Sequence, residues 1–296
     1  MKKTTLLITL LFIILISACR GSSSSFTQDS SHNEEAYIEN KGSDTIVNLA
    51  LAWAERYQEL YPNVRISVTG GGSGTGIAAL INGTVDIANA SRPIKPEEEQ
   101  SIEANGIIPV EFVIARDAIA VVVNPENPIN QLTLKQISDI YSGKINNWKE
   151  IGGEDRPIVR LSRETNSGTH VYFLEEVIRL GDSENKTLFS PDTLLMPSSE
   201  GISTEIRDNP NAIGYDGLGY VTTDMKMIAV AKSADEIFEL PSKDTVNNGS
   251  YPIARDLYMY TAGDPSGAVK EYLDWILSPE AQEIVTELGF VPIGNQ

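Results

Sequence analysis

Apolar residues follow two different periods along this chain of 296 residues. Short apolar runs, typical of buried strands, alternate with segments whose apolar residues recur every three or four positions, as on one face of a helix. The strand candidates are residues 64–69, 85–90, 110–114, 119–124, 158–161, 213–215 and 258–261. This alternation predicts an α/β protein, and the roughly 260 residues beyond a polar N-terminal stretch favour two lobes over one small core.

Three of the predicted helices begin with glycine and hydroxyl residues. Gly-Ser-Asp-Thr at residues 42–45 precedes one helix, glycine-rich residues 70–76 precede a second, and residues 162–169 precede a third that ends before Gly181. The first turn of a helix offers free N–H groups and the positive end of the helix dipole, and both favour a bound anion. Helix capping is the alternative for each hydroxyl taken singly. Three such turns together with Arg163 would suffice to surround a tetrahedral anion.

The N-terminus has the pattern of an exported lipoprotein. Two lysines precede an apolar run at residues 6–16, which is too short for a membrane span, and small residues precede Cys19, the single cysteine. This arrangement resembles a bacterial lipobox. We therefore expect residues 1–18 to be a signal peptide, Cys19 to carry the lipid (palmitate) and residues 19–39 to form a flexible tether. A secretory signal that happens to contain a cysteine is the alternative.

Composition excludes several classes of function. The formal net charge of −18 argues against a nucleic-acid partner. A buried anion site remains compatible with this charge, because exposed carboxylates are screened within about 10 Å at ordinary salt. The glycine-rich residues match neither a serine-hydrolase elbow nor a P-loop, no Cys/His cluster suits zinc, and His170 has the setting of a polar surface residue. We therefore expect no enzyme activity, no metal and no other cofactor.

Five segments also carry a resemblance to a known family: residues 42–45, 72–76, 86–92, 162–169 and 212–215. Together with two helices that the pattern predicts near the C-terminus, at residues 267–277 and 278–289, they resemble the substrate-binding lipoproteins of phosphate-specific ABC importers. The resemblance implies an α/β, two-lobed, periplasmic-binding-protein-like fold, with two crossovers that form a hinge and the ligand in the cleft. It also implies an extracytoplasmic, lipid-anchored monomer that delivers inorganic phosphate to an ABC importer permease.

The resemblance divides the chain between two lobes. We expect residues 40–124 to form the first part of lobe 1, residues 125–252 to form lobe 2, and residues 253–296 to return to lobe 1. The crossings are expected near Asn124-Pro125 and Tyr251-Pro252, because an apolar strand pattern lies beside each.

The resemblance also assigns residues to the ligand. The phosphate-binding residues carried over from the family are Ser43, Asp44, Thr45, Ser73, Ser91, Arg92, Arg163, Ser167, Gly168 and Thr169. Known members have an acidic residue at the place of Ser91, where it accepts the proton of hydrogen phosphate. Asp44 is expected to take over that role. Alternatively, Arg92 adds a second cation and weakens the discrimination between phosphate and sulfate. The alternatives are a capping role for Asp44 and a surface salt bridge for Arg92.

Two other functions stay open at this point. A receptor for another oxyanion, such as sulfate or molybdate, would need the same turns and the same arginine. A secreted phosphatase would need a metal cluster or an activated nucleophile, and the sequence offers neither.

Overall fold

The computed structural model describes residues 35–294, in which strands and helices alternate. The strands are β1 (Ala36–Gly42), β2 (Val64–Thr69), β3 (Ile87–Ala90), β4 (Val110–Val123), β5 (Gln131–Thr133), β6 (Val159–Arg163), β7 (Leu194–Met196), β8 (Ala212–Gly217), β9 (Lys226–Met227), β10 (Ala229–Ala231) and β11 (Ala254–Thr261). The helices are α1 (Asp44–Leu60), α2 (Ser73–Ile81), α3 (Pro96–Ala104), α4 (Leu134–Tyr141), α5 (Gly168–Tyr172), α6 (Ser199–Asp208), α7 (Lys243–Asn247), α8 (Gly267–Ile276) and α9 (Pro279–Glu287). The predicted α/β class is confirmed.

One long strand connects two halves of the main sheet, whose order is β2-β1-β3-β11-β4-β8-β6-β7. Strand β4 pairs antiparallel with β11 from Val110 to Ala118, and with β8 from Ile119 to Val123. We call β2, β1, β3, β11 and the start of β4 the first half, and the end of β4 with β8, β6 and β7 the second half. The change of partner lies earlier in the chain than the expected crossing near Asn124-Pro125. The lobe boundaries themselves stay a prediction.

Each half of the sheet is covered by helices on both faces. In the first half, α1, α8 and α9 pack on one face around Trp53, and α2 and α3 cover the other. In the second half, α4 packs with Val121 and Val123, whereas α6 packs with Ala120 and Val122 on the opposite face. Strands that are buried on both faces give continuous apolar runs, which is why the sequence revealed most of them.

Two predictions about strands were wrong. The tether was expected to reach residue 39, but Ala36 to Glu39 already pair with β2. Acidic residues surround this short strand and Tyr37 is 68% exposed, so it resembled a linker. The candidates at 110–114 and 119–124 are a single strand, because the charged residues between them remain in the ladder: Asp117 pairs with Arg255 of β11.

The helix predicted after Ser167 changes type along its length. It begins as α5 and continues from Phe173 to Ile178 with the wider turns of a π-helix. This places the ring of Phe173 flat on Tyr215, with 3.6 Å between ring centroids. The segment ends at Leu180 and Gly181, both with positive φ.

Among residues 35–294, no helix is both long and apolar enough to cross a membrane. The predicted signal peptide, Cys19 and most of the tether lie outside the described residues.

Candidate functional site

The three glycine- and hydroxyl-rich turns that the sequence singled out lie together between the two halves of the sheet. Helix α1 follows Ser43, α2 follows Gly72 and α5 follows Ser167. Strands β1 and β3 run parallel in the first half, and β6 and β8 run parallel in the second. In parallel sheets, binding residues gather at the carboxyl ends of the strands, where these helices begin.

The first turns of α1 and α5 touch through their threonines. Thr45 Oγ1 lies 2.8 Å from Thr169 Oγ1, although the two residues come from different halves of the sheet. The glycine-rich turn before α2 adds two further contacts to the second half: Asn166 Nδ2 donates to Gly71 O at 2.9 Å, and Gly74 N donates to Asn166 O at 3.2 Å. All three turns therefore belong to one arrangement.

Ser73, Ser91 and Gly168 form the tightest part of this arrangement. Ser91 N donates to Ser73 Oγ at 3.0 Å, and both serines are fully buried. A Cβ atom added to Gly168 would lie 2.5 Å from Ser91 Oγ, 3.2 Å from Arg92 Cγ and closer still to Ser73 Oγ. Because real Cβ atoms do not approach other atoms so closely, only glycine fits at position 168 in this arrangement.

Arg163 ends β6 with its guanidinium in the same region and is 1% exposed. Its Nη2 donates to Asp44 Oδ2 at 2.7 Å and to Pro197 O at 3.1 Å, and Nη1 donates to Ser199 Oγ at 3.0 Å. Its Nε is buried without a hydrogen-bond partner among residues 35–294. A buried donor without a partner is costly, so Arg163 has a donor to spare for a ligand.

Asp44 bridges two of the turns. Its Oδ1 accepts a hydrogen bond from Gly71 N at 2.8 Å, while Oδ2 pairs with Arg163. It is the first residue of α1, and the residue before it, Ser43, makes no side-chain hydrogen bond to the helix. Neither Asp44 nor Ser43 therefore caps α1 with its side chain. Ser167 does cap α5, because its Oγ accepts a hydrogen bond from Thr169 N at 3.2 Å.

Behind Arg163 lies a second carboxylate that the sequence did not reveal. Ser199 Oγ donates to Asp216 Oδ1 at 2.8 Å, and Asp216 Oδ2 is buried without a partner among the described residues. Burial raises the pKa of Asp216 to about 6, although the charge of Arg163 opposes this shift. Ser199 thus links Arg163 to a carboxyl group whose pKa is raised by burial.

Arg92 shares one feature with Arg163, because its Nε is also buried without a hydrogen-bond partner among the described residues, but its two Nη atoms are held differently. Its Nη1 and Nη2 donate to the two carboxylate oxygens of Glu98, both at 2.7 Å, and Nη1 also donates to Pro93 O at 2.8 Å. The salt bridge that was the alternative for Arg92 exists, but it is not on the surface, because the Arg92 side chain is 5% exposed. Burial acts to raise the pKa of Glu98, yet the hydrogen bonds from Arg92 and Lys95 N outweigh it and hold this pKa below its usual value.

Sequence reasoning also missed Arg255 and Asp117. Arg255 Nη2 lies 2.9 Å from Thr169 Oγ1, and the same guanidinium pairs with Asp117, which is fully buried. The available signal was the pair of charges inside each of two apolar strands, Arg116-Asp117 in β4 and Arg255-Asp256 in β11. Charges in an apolar strand are buried with a partner far more often than they are left alone.

His170 is buried rather than on the surface, where we had expected it. It is 7% exposed, its ring stacks on Phe189 with 4.5 Å between centroids, and its Nδ1 lies 3.0 Å from Ser162 Oγ. Burial lowers its pKa. Among the described residues, no group of three His, Cys, Asp or Glu side chains is placed to hold a metal ion. The arrangement offers hydrogen-bond donors and buried cations, which suits the binding of an anion.

Comparison with known proteins identifies the family. The family model described as a PBP superfamily domain matches residues 27–280. The phosphate-binding protein PstS of Pseudomonas aeruginosa is 34% identical over 269 residues, which cover 85% of this chain and 81% of that protein. The chain belongs to the PBP superfamily, in the PstS family. The PstS of Bacillus subtilis is likewise 34% identical, over 99% of this chain and 95% of its own length.

Solved structures agree with this membership. A Clostridium perfringens substrate-binding protein assigned to phosphate ABC transport, solved with bound phosphate, is 33% identical, with a TM-score of 0.77 over 87% of this chain and 100% of that chain. An ABC-type phosphate transport receptor from Vibrio cholerae is 30% identical, with a TM-score of 0.69 over 86% of this chain and 100% of its own. The resemblance to this family and the two-lobed PBP-like fold are confirmed.

Proposed function

We propose that this PstS family member captures inorganic phosphate between the two halves of its sheet and delivers it to an ABC importer. One observation carries the proposal: the first turns of three helices and the buried Arg163 meet where the halves touch, at the Thr45–Thr169 and Asp44–Arg163 contacts. The names of its relatives, and the phosphate bound in the Clostridium perfringens structure, support the same ligand.

The free energy needed to bind an anion requires a site with many hydrogen-bond donors. A micromolar dissociation constant corresponds to about −8 kcal/mol, whereas taking an anion out of water costs several kcal/mol. Because a neutral hydrogen bond contributes about 1 kcal/mol net and a charged one about twice that, roughly ten are needed. Three helix starts with their hydroxyls, together with the spare donor of Arg163, can supply this number.

The ten predicted residues divide into three roles in this proposal. Phosphate oxygens accept from Arg163 and from the hydroxyl or amide groups of Ser43, Thr45, Ser73, Ser91, Ser167, Gly168 and Thr169. Asp44 accepts the proton of hydrogen phosphate, because its carboxylate has lone pairs beyond those used by Gly71 N and Arg163. Arg92 adds positive charge; Glu98 holds its Nη1 and Nη2, and its Nε is the one guanidinium donor without a partner among the described residues.

The two halves act as lobes that close on the ligand. The lobes we propose keep the predicted division into residues 40–124 with 253–296 and residues 125–252, with two changes: lobe 1 begins at Ala36, and the first crossing lies at Ala118–Ile119 in place of residue 124. The long strand β4, which changes partner between Ala118 and Ile119, supports one crossing in this part of the chain. Closure should make the molecule more compact with phosphate, which small-angle scattering with and without ligand tests.

We further propose that the protein works as a monomer outside the cytoplasm, anchored by lipid on Cys19, and has no catalytic activity. The lipobox-like sequence before Cys19 supports the anchor. Cys19→Ser should leave the protein unlipidated and shift it out of the membrane fraction. A variant that stayed acylated would remove this part of the proposal.

Isothermal titration of the purified protein with phosphate, sulfate and molybdate tests the central proposal. We expect phosphate to bind at least tenfold more tightly than sulfate, because only phosphate carries a proton that a carboxylate can accept. Tighter binding of sulfate or molybdate would make the protein a receptor for that anion. Release of phosphate from an ester by the pure protein would favour a phosphatase instead.

A further inference from the structure

Arg255, at the start of β11, contacts two of the three turns of the proposed site, those that contain Thr45 and Thr169, and also Ser91. Its Nη1 donates to Ser91 O at 2.9 Å, and its Nη2 donates to Thr169 Oγ1 at 2.9 Å and to Thr45 Oγ1 at 3.4 Å. The residue is 7% exposed. It therefore lies directly behind the two threonines that join the halves of the sheet.

The chemistry of arginine fixes what these threonines can do. A guanidinium only donates, and Arg255 Nη2 has two hydrogens. One bonds to Asp117 Oδ2, and the other bonds to Thr169 Oγ1 at 2.9 Å and is shared weakly with Thr45 Oγ1 at 3.4 Å. The two hydroxyls lie 2.8 Å apart, so one of them donates its hydrogen to the other. Because each hydroxyl has a single hydrogen, one hydrogen is left, and it must point away from the guanidinium. Arg255 thereby turns an ambiguous pair of hydroxyls into a directed donor.

The charge of Arg255 is balanced by a partner on the neighbouring strand. Asp117 Oδ2 accepts from Nη2 at 2.9 Å and from Nε at 3.3 Å, and Asp117 Oδ1 accepts from Leu218 N at 3.2 Å. Asp117 is fully buried, and it precedes Ala118, the last β4 residue that pairs with β11. This neutral pair acts on the site through orientation more than through attraction of the anion, and it sits where the two halves join.

We propose that Arg255, held by Asp117, is a positioning residue that directs the hydroxyls of Thr45 and Thr169 toward phosphate when the halves close. This inference rests on the proposed function and extends the site beyond the ten residues predicted from the sequence.

The same two strands provide a matched control. Arg116 and Asp256 form the next cross-strand pair in the register, with the same residue types exchanged between the strands and 3.3 Å between Arg116 Nε and Asp256 Oδ1. Their side chains are 47% and 39% exposed. Because successive residues of a strand point to opposite faces of the sheet, this pair lies on the face opposite to Arg255 and Asp117. An effect that depends only on a charged pair between β4 and β11 would appear at both places.

The test removes each pair as a unit. Arg255→Met alone leaves Asp117 buried and unpaired, so the main variant is Arg255→Met with Asp117→Leu, which replaces a buried ion pair by apolar groups. We expect its phosphate dissociation constant to rise about tenfold or more while its melting temperature stays close to that of the unmodified protein. Arg116→Met with Asp256→Leu should change the constant by less than about twofold. A double variant at 255 and 117 that binds as tightly as the unmodified protein would overturn the inference.

A mutant cycle separates positioning from a general structural effect. In a Thr45→Val, Thr169→Val background, the hydroxyls that Arg255 orients are gone, so adding Arg255→Met and Asp117→Leu should cost no further affinity. Full additivity of the two losses would show that Arg255 does not act through the threonines. If the unmodified protein fails to bind phosphate, the proposed function falls and the inference falls with it; binding by the unmodified protein with no loss in the variants overturns the inference alone.

Discussion

Arg92 and Arg163 are both buried arginines with a carboxylate partner, yet the origin of the partner separates their roles. Glu98 follows Arg92 by six residues and holds both ends of its guanidinium. Asp44 reaches Arg163 from the opposite half of the sheet, 119 residues away in the chain, and holds one end only. The first pair can persist in any arrangement of the two halves, whereas the second exists only when they are together. The pair of Arg92 therefore lies within one half, whereas the pair of Arg163 links the two halves, and only the second is expected to respond to a ligand between them.

The largest expected effect is at Arg163. Arg163→Ala should weaken phosphate binding by about 30-fold or more, which corresponds to about 2 kcal/mol, because it removes a buried charged donor. The fold should remain, since Asp44 keeps its bond to Gly71 N. Titration calorimetry gives the affinity and circular dichroism checks the fold. An unchanged titration would remove Arg163 from the site.

Asp44→Asn tests the other member of the pair between the halves. We expect phosphate affinity to fall about tenfold and the preference over sulfate to narrow, because an amide can donate to either anion but cannot replace both acceptor oxygens. Competition titrations with the two anions measure the ratio. A ratio that stays the same would leave Asp44 as a link between Gly71 and Arg163 without a part in selectivity.

Asp216, which is linked to Arg163 through Ser199, and Glu98, which pairs with Arg92, should change the stability of the fold with pH in opposite directions. The pKa of Asp216 is raised to about 6 in the folded protein, so its protonated form stabilises the fold at low pH and this contribution is lost as pH rises through 6. An asparagine side chain does not titrate, so the Asp216→Asn variant does not lose stability in this way as pH rises. Relative to the unmodified protein, its free energy of unfolding should therefore rise by about 1 kcal/mol between pH 5 and pH 7.

Glu98→Gln is the matched control for that measurement. The pKa of Glu98 lies below its usual value, so its contribution to stability is present above the unfolded pKa and is lost as pH falls. The variant should therefore lose stability relative to the unmodified protein as pH rises. Urea unfolding at several pH values follows both variants, and equal slopes for the two would contradict the difference that we draw between the carboxyl groups.

The smallest effect on binding is expected at Arg92. Because Glu98 occupies its guanidinium, Arg92→Met should change the phosphate dissociation constant by less than about threefold, while unfolding becomes easier because Glu98 loses its partner. Arg92→Met with Glu98→Gln should recover part of that stability. A large loss of affinity in both variants would mean that Arg92 contacts the ligand, and the contrast with Arg163 would then disappear.

Local sequence was sufficient to find the helix starts. The glycine, serine and threonine motifs mark where α1, α2 and α5 begin, and each of these helices starts within the motif that predicted it. Parallel strands bring such starts to a common edge, so the predicted residues lie close together.

Arg255 could not be found by the same route. Its contact with Asp117 joins positions 138 residues apart and depends on the register between β4 and β11, which no local pattern specifies. Ser199 and Asp216 depend in the same way on where α6 and β8 lie. The sequence thus contained the turns that would touch a ligand, and tertiary packing decided which carboxylates and arginines support them.

The absence of a side chain at Gly168 sets the separation that the two lobes can reach. Any larger residue would place atoms where the hydroxyls of Ser73 and Ser91 lie. A methyl group there would act as a wedge, so Gly168→Ala offers a way to hold the protein apart without removing any charge or hydrogen-bonding group. Such a variant would provide a reference for the open form in the scattering and titration experiments proposed above.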